Sequence, residues 1–176
     1  DVFSTTEAGQ LTDKLRAVSI DFTPKEEILA ITQNAGEYTL ALHDKKGKHV
    51  RTLLGPTTTT LSHARLSADG KQVVFCAMES SVAATHLYIF NLENGEMQQL
   101  TEGRFTDIHP AFSADGSKVV FSSDRSGIFN LHELSLASGE LVRLTNLTGG
   151  AFYPDVAPDG KSIALSEFWQ KGYGIA

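Results

Sequence analysis

The chain repeats itself, and that constrains its fold more than any other feature. An acidic-glycine hairpin flanked by apolar strands recurs three times. The copies are Ala64-Arg-Leu-Ser-Ala-Asp-Gly-Lys-Gln-Val-Val-Phe75, Pro110-Ala-Phe-Ser-Ala-Asp-Gly-Ser-Lys-Val-Val-Phe121 and Pro154-Asp-Val-Ala-Pro-Asp-Gly-Lys-Ser-Ile-Ala-Leu165. Their acidic residues, Asp69, Asp115 and Asp159, are spaced by 46 and 44 residues. A degraded copy, Asp21 to Ile31, lies 44 residues upstream of the first and carries Lys25-Glu26 in place of Asp-Gly. A period of this size built only from strands predicts a radial array. The expected fold is all-β: a beta-propeller of about four four-stranded antiparallel blades. No single blade can bury both of its faces, so each needs a stacked neighbour.

Each repeat reads the same way. A short strand precedes the Asp-Gly pair, which tolerates the positive backbone angles of a tight turn. A β-branched strand follows, apolar on both faces. A polar loop, a third strand (Leu87 to Leu92, Phe129 to Leu134), a second turn and a fourth strand ending in Leu-Thr complete the unit. The expected blades are 13–55, 56–103, 104–148 and 149–176 within a single domain, the last closed by a strand from 2–12. A closed small ring, a segment of a larger propeller, and a homodimer forming one eight-bladed ring all fit this pattern.

Composition narrows the partners. The net charge of −6 argues against nucleic acid, which needs a positive face to neutralise phosphate. No apolar run is long enough to span a bilayer. Cys76 is the single cysteine, so no disulfide forms within the chain and no zinc-thiolate site exists. It sits in the apolar run Val73 to Ala77 and reads as a small buried hydrophobe. No cofactor or metal is expected. No Gly-x-Ser-x-Gly nucleophile turn is present, so no catalytic residue is assigned.

The segments Phe112-Ser-Ala-Asp-Gly-Ser-Lys-Val-Val-Phe-Ser-Ser-Asp-Arg-Ser-Gly127 and Val156-Ala-Pro-Asp-Gly-Lys-Ser-Ile-Ala-Leu-Ser166, with the Leu-Thr strand ends at Thr101 and Thr145, resemble the TolB-like beta-propeller repeat family. The resemblance implies a periplasmic or otherwise exported bacterial protein that binds other proteins, as in the Tol system of the cell envelope. Similar blades form the gating domain of prolyl-oligopeptidase-like peptidases, and a related propeller lyase acts on oligogalacturonides. The expected function is therefore a non-catalytic protein-binding scaffold of the periplasm or envelope, with membrane-associated protein partners. The alternatives are a propeller segment of such an enzyme and a structural subunit of a larger membrane-associated complex.

Partner contacts are expected on loops, because rigid blades present variable loops. The candidates are Ser80, Ser81 and Thr85 in a segment that reads as an insertion, Asp124 and Arg125 in the Asp-Arg-Ser-Gly loop, and Phe168 and Trp169 in the last blade. His63 and His109 hold equivalent positions in successive repeats, so both should point to one mouth of the central channel, where they could meet a metal or substrate. His43, His49, His86 and His132 are expected to be solvated. Asp124 is expected to stabilise its turn rather than to bind an ion.

Overall fold

The structure is a computed structural model that describes residues 15–81, 83–169 and 172–176. Every regular element in it is a strand. The first sheet contains β1 (Ala17–Phe22), β2 (Ile28–Asn34), β3 (Glu37–His43) and β4 (His49–Thr57). The second contains β5 (Leu61–Leu66), β6 (Gln72–Glu79), β7 (Ala84–Asn91) and β8 (Met97–Gln99). The third contains β9 (Asp107–Phe112), β10 (Lys118–Ser123), β11 (Asn130–Ser135) and β12 (Leu141–Arg143). The fourth has three strands among the described residues: β13 (Ala151–Val156), β14 (Ile163–Trp169) and β15 (Gly172–Ile175). Each sheet is an antiparallel meander in chain order.

The first strand of each sheet is the innermost one. Contacts link β1 to β5, β5 to β9 and β9 to β13, so successive sheets fan around a common axis. This is the predicted propeller. Among the described residues β1 and β13 do not touch. The closing strand expected at 2–12 lies outside the described residues.

The hairpin chemistry explains why the chain reverses where it does. In the second sheet the Asp69 carboxylate accepts from the Lys71 N–H at 3.0 Å and from Ser67 Oγ at 2.6 Å. Gly70, at φ 71°, occupies the left-handed region that side chains disfavour. Asp115 and Asp159 repeat the carboxylate-to-backbone bond, accepting from Ser117 and Lys161 N–H. The first sheet solves the turn differently. Thr23 Oγ1 accepts from Lys25 and Glu27 N–H, and Glu26 adopts φ 62° in the glycine's place. The Thr23 N–H bonds to Glu27 O, whereas the Ser67 N–H bonds to Gln72 O, so this hairpin is one residue shorter. The copies therefore do not align at 44 residues here: Ile31 matches Cys76, not Phe75.

Alternation along each second strand then distributes the core. Val73 and Phe75 pack on Leu29, Ile31, Leu40 and Leu42 of the first sheet. Val74 and Cys76, with Leu87, pack on Val119, Phe121 and Leu134 of the third. Val120 and Leu131 meet Ala151, Ile163 and Leu165 of the fourth. Cys76 is fully buried, and burial drives its thiol pKa far up, so it is inert packing.

A repeat position on the third strand shows how burial depends on a neighbour. Leu40, Leu87 and Leu131 face Ile31, Cys76 and Ser122 across their ladders. Each has a further sheet in front of it, and their exposures are 0%, 0% and 1%. Phe168 and Tyr173, paired on the same outward side of β14 and β15, are exposed.

Candidate functional site at the channel mouth

The inner strands carry a feature that ordinary strands lack. His63, His109 and Tyr153 sit at the same position of β5, β9 and β13, with φ of 51°, 54° and 51°. Each coincides with a bulge in the pairing to the second strand. Left-handed backbone at a non-glycine residue costs on the order of 1–3 kcal/mol, and bulges re-aim side chains. Here the three aromatic rings are turned toward one another. His63 and His109 meet edge to face with ring centroids 4.4 Å apart. His109 and Tyr153 stack at 3.7 Å. The two histidines expected to share one mouth are brought together here, ring against ring. Tyr153 is the third member of the same series.

The rings border a cavity of about 220 Å³ whose walls also include Ser19, Ile20 and Arg65. His63 Nδ1 lies 3.0 Å from Ser62 Oγ. His109 is 9% exposed, and its Nδ1 has no hydrogen-bond partner. Burial, and then the neighbouring His63, push the His109 pKa down to about 3. Burial, and then the Arg65 cation, lower that of His63. Both imidazoles are therefore neutral near pH 7, and each keeps one N–H donor and one acceptor nitrogen. Among the described residues no group of three or more histidine, cysteine, aspartate or glutamate side chains converges as a metal site.

A depressed histidine pKa links stability to pH. The unfolded chain takes up the proton near 6.5, whereas folded His109 resists it down to about 3. The stability is complete above about 6.5 and is lost progressively as pH falls toward 3. The urea midpoint should drop between pH 7 and pH 4.5, and His109→Gln should shrink that drop. An unchanged drop in the variant would assign it to other groups.

The remaining candidates divide in two. Leu61 pairs with Ala77, Asp107 with Ser123 and Ala151 with Glu167. The loops that follow the second strands thus emerge at the end where the inner strands begin, on the face opposite the Asp-Gly hairpins. Ser80 and Ser81 are exposed there, with Ser81 Oγ bonded to Glu79 at 2.7 Å. Thr85 is not in a loop. It lies on β7, paired with Met78: the expected insertion is present as two extra residues between Cys76 and Leu87 relative to Ser122 and Leu131, and it lengthens the two strands. Phe168 and Trp169 are likewise strand residues, at the end of β14, and are 42% and 56% exposed.

Arg125 is half-buried and engaged within its own sheet. Its Nη2 donates to both oxygens of Asp107 at 2.9 and 2.8 Å, and its Nε donates to Ser123 Oγ at 2.9 Å. Asp107 is 0% exposed. The guanidinium lies 5.3 Å from the Phe105 ring centroid and 5.6 Å from that of Phe121. Asp124 accepts from the Thr106 N–H at 2.8 Å. The Asp-Arg-Ser-Gly loop thus ties the start of β9 to the end of β10. Three of the four histidines expected to be solvated are buried instead: His43, His86 and His132, all on third strands. The Leu-Thr strand ends have a role that the pattern alone did not give. The Thr101 and Thr145 hydroxyls accept the Leu87 and Leu131 N–H groups, pinning the third strands.

The sequence model of the TolB beta propeller domain matches residues 57–176. The chain belongs to this family. It is 41% identical over 64 residues to the Tol-Pal system protein TolB of Francisella tularensis, covering 36% of this chain and 14% of that protein. It is 28% identical over 142 residues to dipeptidyl-peptidase 5 of Porphyromonas gingivalis, covering 78% of this chain and 20% of that one. The structure of a putative TolB from Agrobacterium tumefaciens superposes with a TM-score of 0.75 at 20% identity, covering 86% of this chain and 56% of that chain. This TolB-like chain therefore spans well under two thirds of the length of the curated relatives it matches.

Proposed function

We propose that this TolB-like propeller is a non-catalytic protein-binding scaffold of the bacterial cell envelope, and that its partner docks on the face carrying the channel mouth. The observation that carries this reading is the shared, strained orientation of His63, His109 and Tyr153. Three blades hold aromatic side chains toward one cavity, and the exposed Ser80, Ser81, Phe168 and Trp169 stand together at the end of the sheets opposite the Asp-Gly hairpins. The similarity to TolB, named for the Tol-Pal system, supports an envelope setting. A second reading rests on the match to dipeptidyl-peptidase 5 across most of the chain: a propeller domain that works beside a peptidase domain. In that case the same mouth would face the peptidase.

Photo-crosslinking in the native host separates the two. A photoreactive residue replacing Ser81 or Tyr153 should capture a separate envelope protein, and one replacing Asp159 on the opposite face should not. Capture of a peptidase domain by the first two positions would replace the scaffold reading with the second. Equal capture from both faces would remove the assignment of the docking face.

A further inference from the structure

The turn that joins β7 to β8 carries an amide beside a glycine nitrogen, and we infer that Asn94 is a site of spontaneous deamidation in the folded protein, with water as the only co-reactant. The Gly95 nitrogen, once it has lost its proton, attacks Asn94 Cγ. The Cγ–Nδ2 bond breaks, ammonia leaves with that proton, and a five-membered imide remains. Water then opens the imide in one of two ways. Attack at Cγ gives aspartate; attack at the Asn94 main-chain carbonyl gives isoaspartate, whose backbone runs through Cβ and is one methylene longer. Three observations carry the assignment. Asn94-Gly95 is the one asparagine–glycine pair in the sequence: Asn34, Asn91, Asn130 and Asn146 precede Ala35, Leu92, Leu131 and Leu147, whose Cβ atoms crowd the attacking nitrogen. Around Gly95 the space is open: a Cβ there would meet nothing within 4 Å beyond its chain neighbours, and both residues are exposed. The Asn94 side chain is folded against the backbone that follows it. Its Oδ1 accepts the Glu96 N–H at 2.9 Å, and its Nδ2 donates to Glu96 Oε2 at 2.8 Å.

One bond opposes the reaction. The Gly95 N–H donates to Asn91 O at 2.9 Å, and the nitrogen must leave that bond to act as a nucleophile. The turn is closed by β8, a strand of three exposed residues at the edge of its sheet. Such an edge opens locally at far less cost than the whole domain, so the nitrogen is released while the core stays folded. Matching turns supply the contrast. In the third sheet Ser138 Oγ accepts the Glu140 N–H, and the Gly139 N–H donates to Ser135 O at 2.9 Å, the same pattern with no amide to lose. At Asp69-Gly70 and Asp115-Gly116, hydrogen bonds led by those from the Ser67 and Ser113 hydroxyls hold the carboxyls below their ordinary range. They stay ionised, and an ionised carboxylate resists attack. A carboxylate at position 94 would stand beside Glu93 and Glu96 and would lose the Nδ2 bond to Glu96, so the reaction weakens the short β7–β8 ladder.

The test holds the whole folded chain at physiological temperature and neutral pH and samples it over weeks. Peptide mapping by mass spectrometry reads the mass, and isoaspartyl methyltransferase labelling reads the rearranged backbone. The expected result is a gain of about one dalton, NH2 replaced by OH, growing in the peptide that contains Asn94, with the methyl label in that same peptide. Asn94→Ser, which copies the turn of the third sheet, should abolish both signals. Mildly alkaline buffer should speed the gain several-fold, because the deprotonated nitrogen is the nucleophile. No gain at Asn94, an equal gain at the exposed Asn146, or a label that persists in Asn94→Ser overturns the site. Leu131→Ala, a core truncation in the third sheet, tests the folded turn as the reacting species. At a temperature where this variant remains folded it should react at the parent rate. An acceleration in step with its lost stability would place the reaction in the unfolded chain and overturn the inference.

Discussion

Leu131→Ala should lower the unfolding free energy by about 2–5 kcal/mol, whereas Val142→Ala should change it by no more than about 0.5 kcal/mol. The two residues lie on adjacent strands of the third sheet, β11 and β12. Both are branched aliphatics, and they differ in what stands in front of them. Leu131 is 1% exposed, packed with Val120 against the fourth sheet. Val142 is 44% exposed. Hydrophobic stabilisation follows the apolar area removed from water, and truncating a packed side chain adds the loss of contacts around the cavity it leaves. Urea unfolding of the two variants beside the parent measures the contrast. Equal losses would mean that the sheets do not support one another face to face as described.

Removing the Asp107 carboxylate should be as damaging as a core truncation. Asp107→Ala leaves the Arg125 guanidinium mostly enclosed against Phe105 and Phe121 without its counter-ion. Breaking a buried pair by deleting one partner costs about 3–5 kcal/mol, since the surviving charge is uncompensated. Arg125→Ala should cost a similar amount, because it strands a carboxylate at 0% exposure. The double variant should lose clearly less than the sum of the two, and a double-mutant cycle isolates that coupling. A coupling near zero would show that the two side chains act independently and that the loop is held by its backbone bonds alone. Ser80 and Ser81, exposed on a neighbouring loop, provide a control: alanine there should change stability by no more than about 0.5 kcal/mol.

Much of the fold could be read in advance because turn chemistry is local. Asp-Gly at 69, 115 and 159 announced three hairpins, and the carboxylates bond to their own turns as that chemistry requires. The first sheet was read one residue out of register. Its Thr23-to-Glu27 turn has no Asp-Gly to mark it, and only the hydrogen bonds reveal that it is shorter. His63 and His109 could be paired because they occupy equivalent repeat positions. Arg125 could not be placed: its partner Asp107 is 18 residues away, and a charged residue in a polar loop reads as exposed. The same limit applies to His43, His86 and His132, whose polar character says nothing of the packing that buries them.

The sequence by itself determined the strands, the turns between them and the alternation that gives each second strand two apolar faces. Those features come from backbone preferences and side-chain direction over a few residues. Tertiary structure alone decided which faces are covered, so that Leu40, Leu87 and Leu131 are dry. It also decided that three bulged, left-handed residues on separate strands turn their rings toward one cavity. Burial and convergence depend on elements more than forty residues apart meeting around one axis, and no local pattern encodes where a neighbouring sheet will stand.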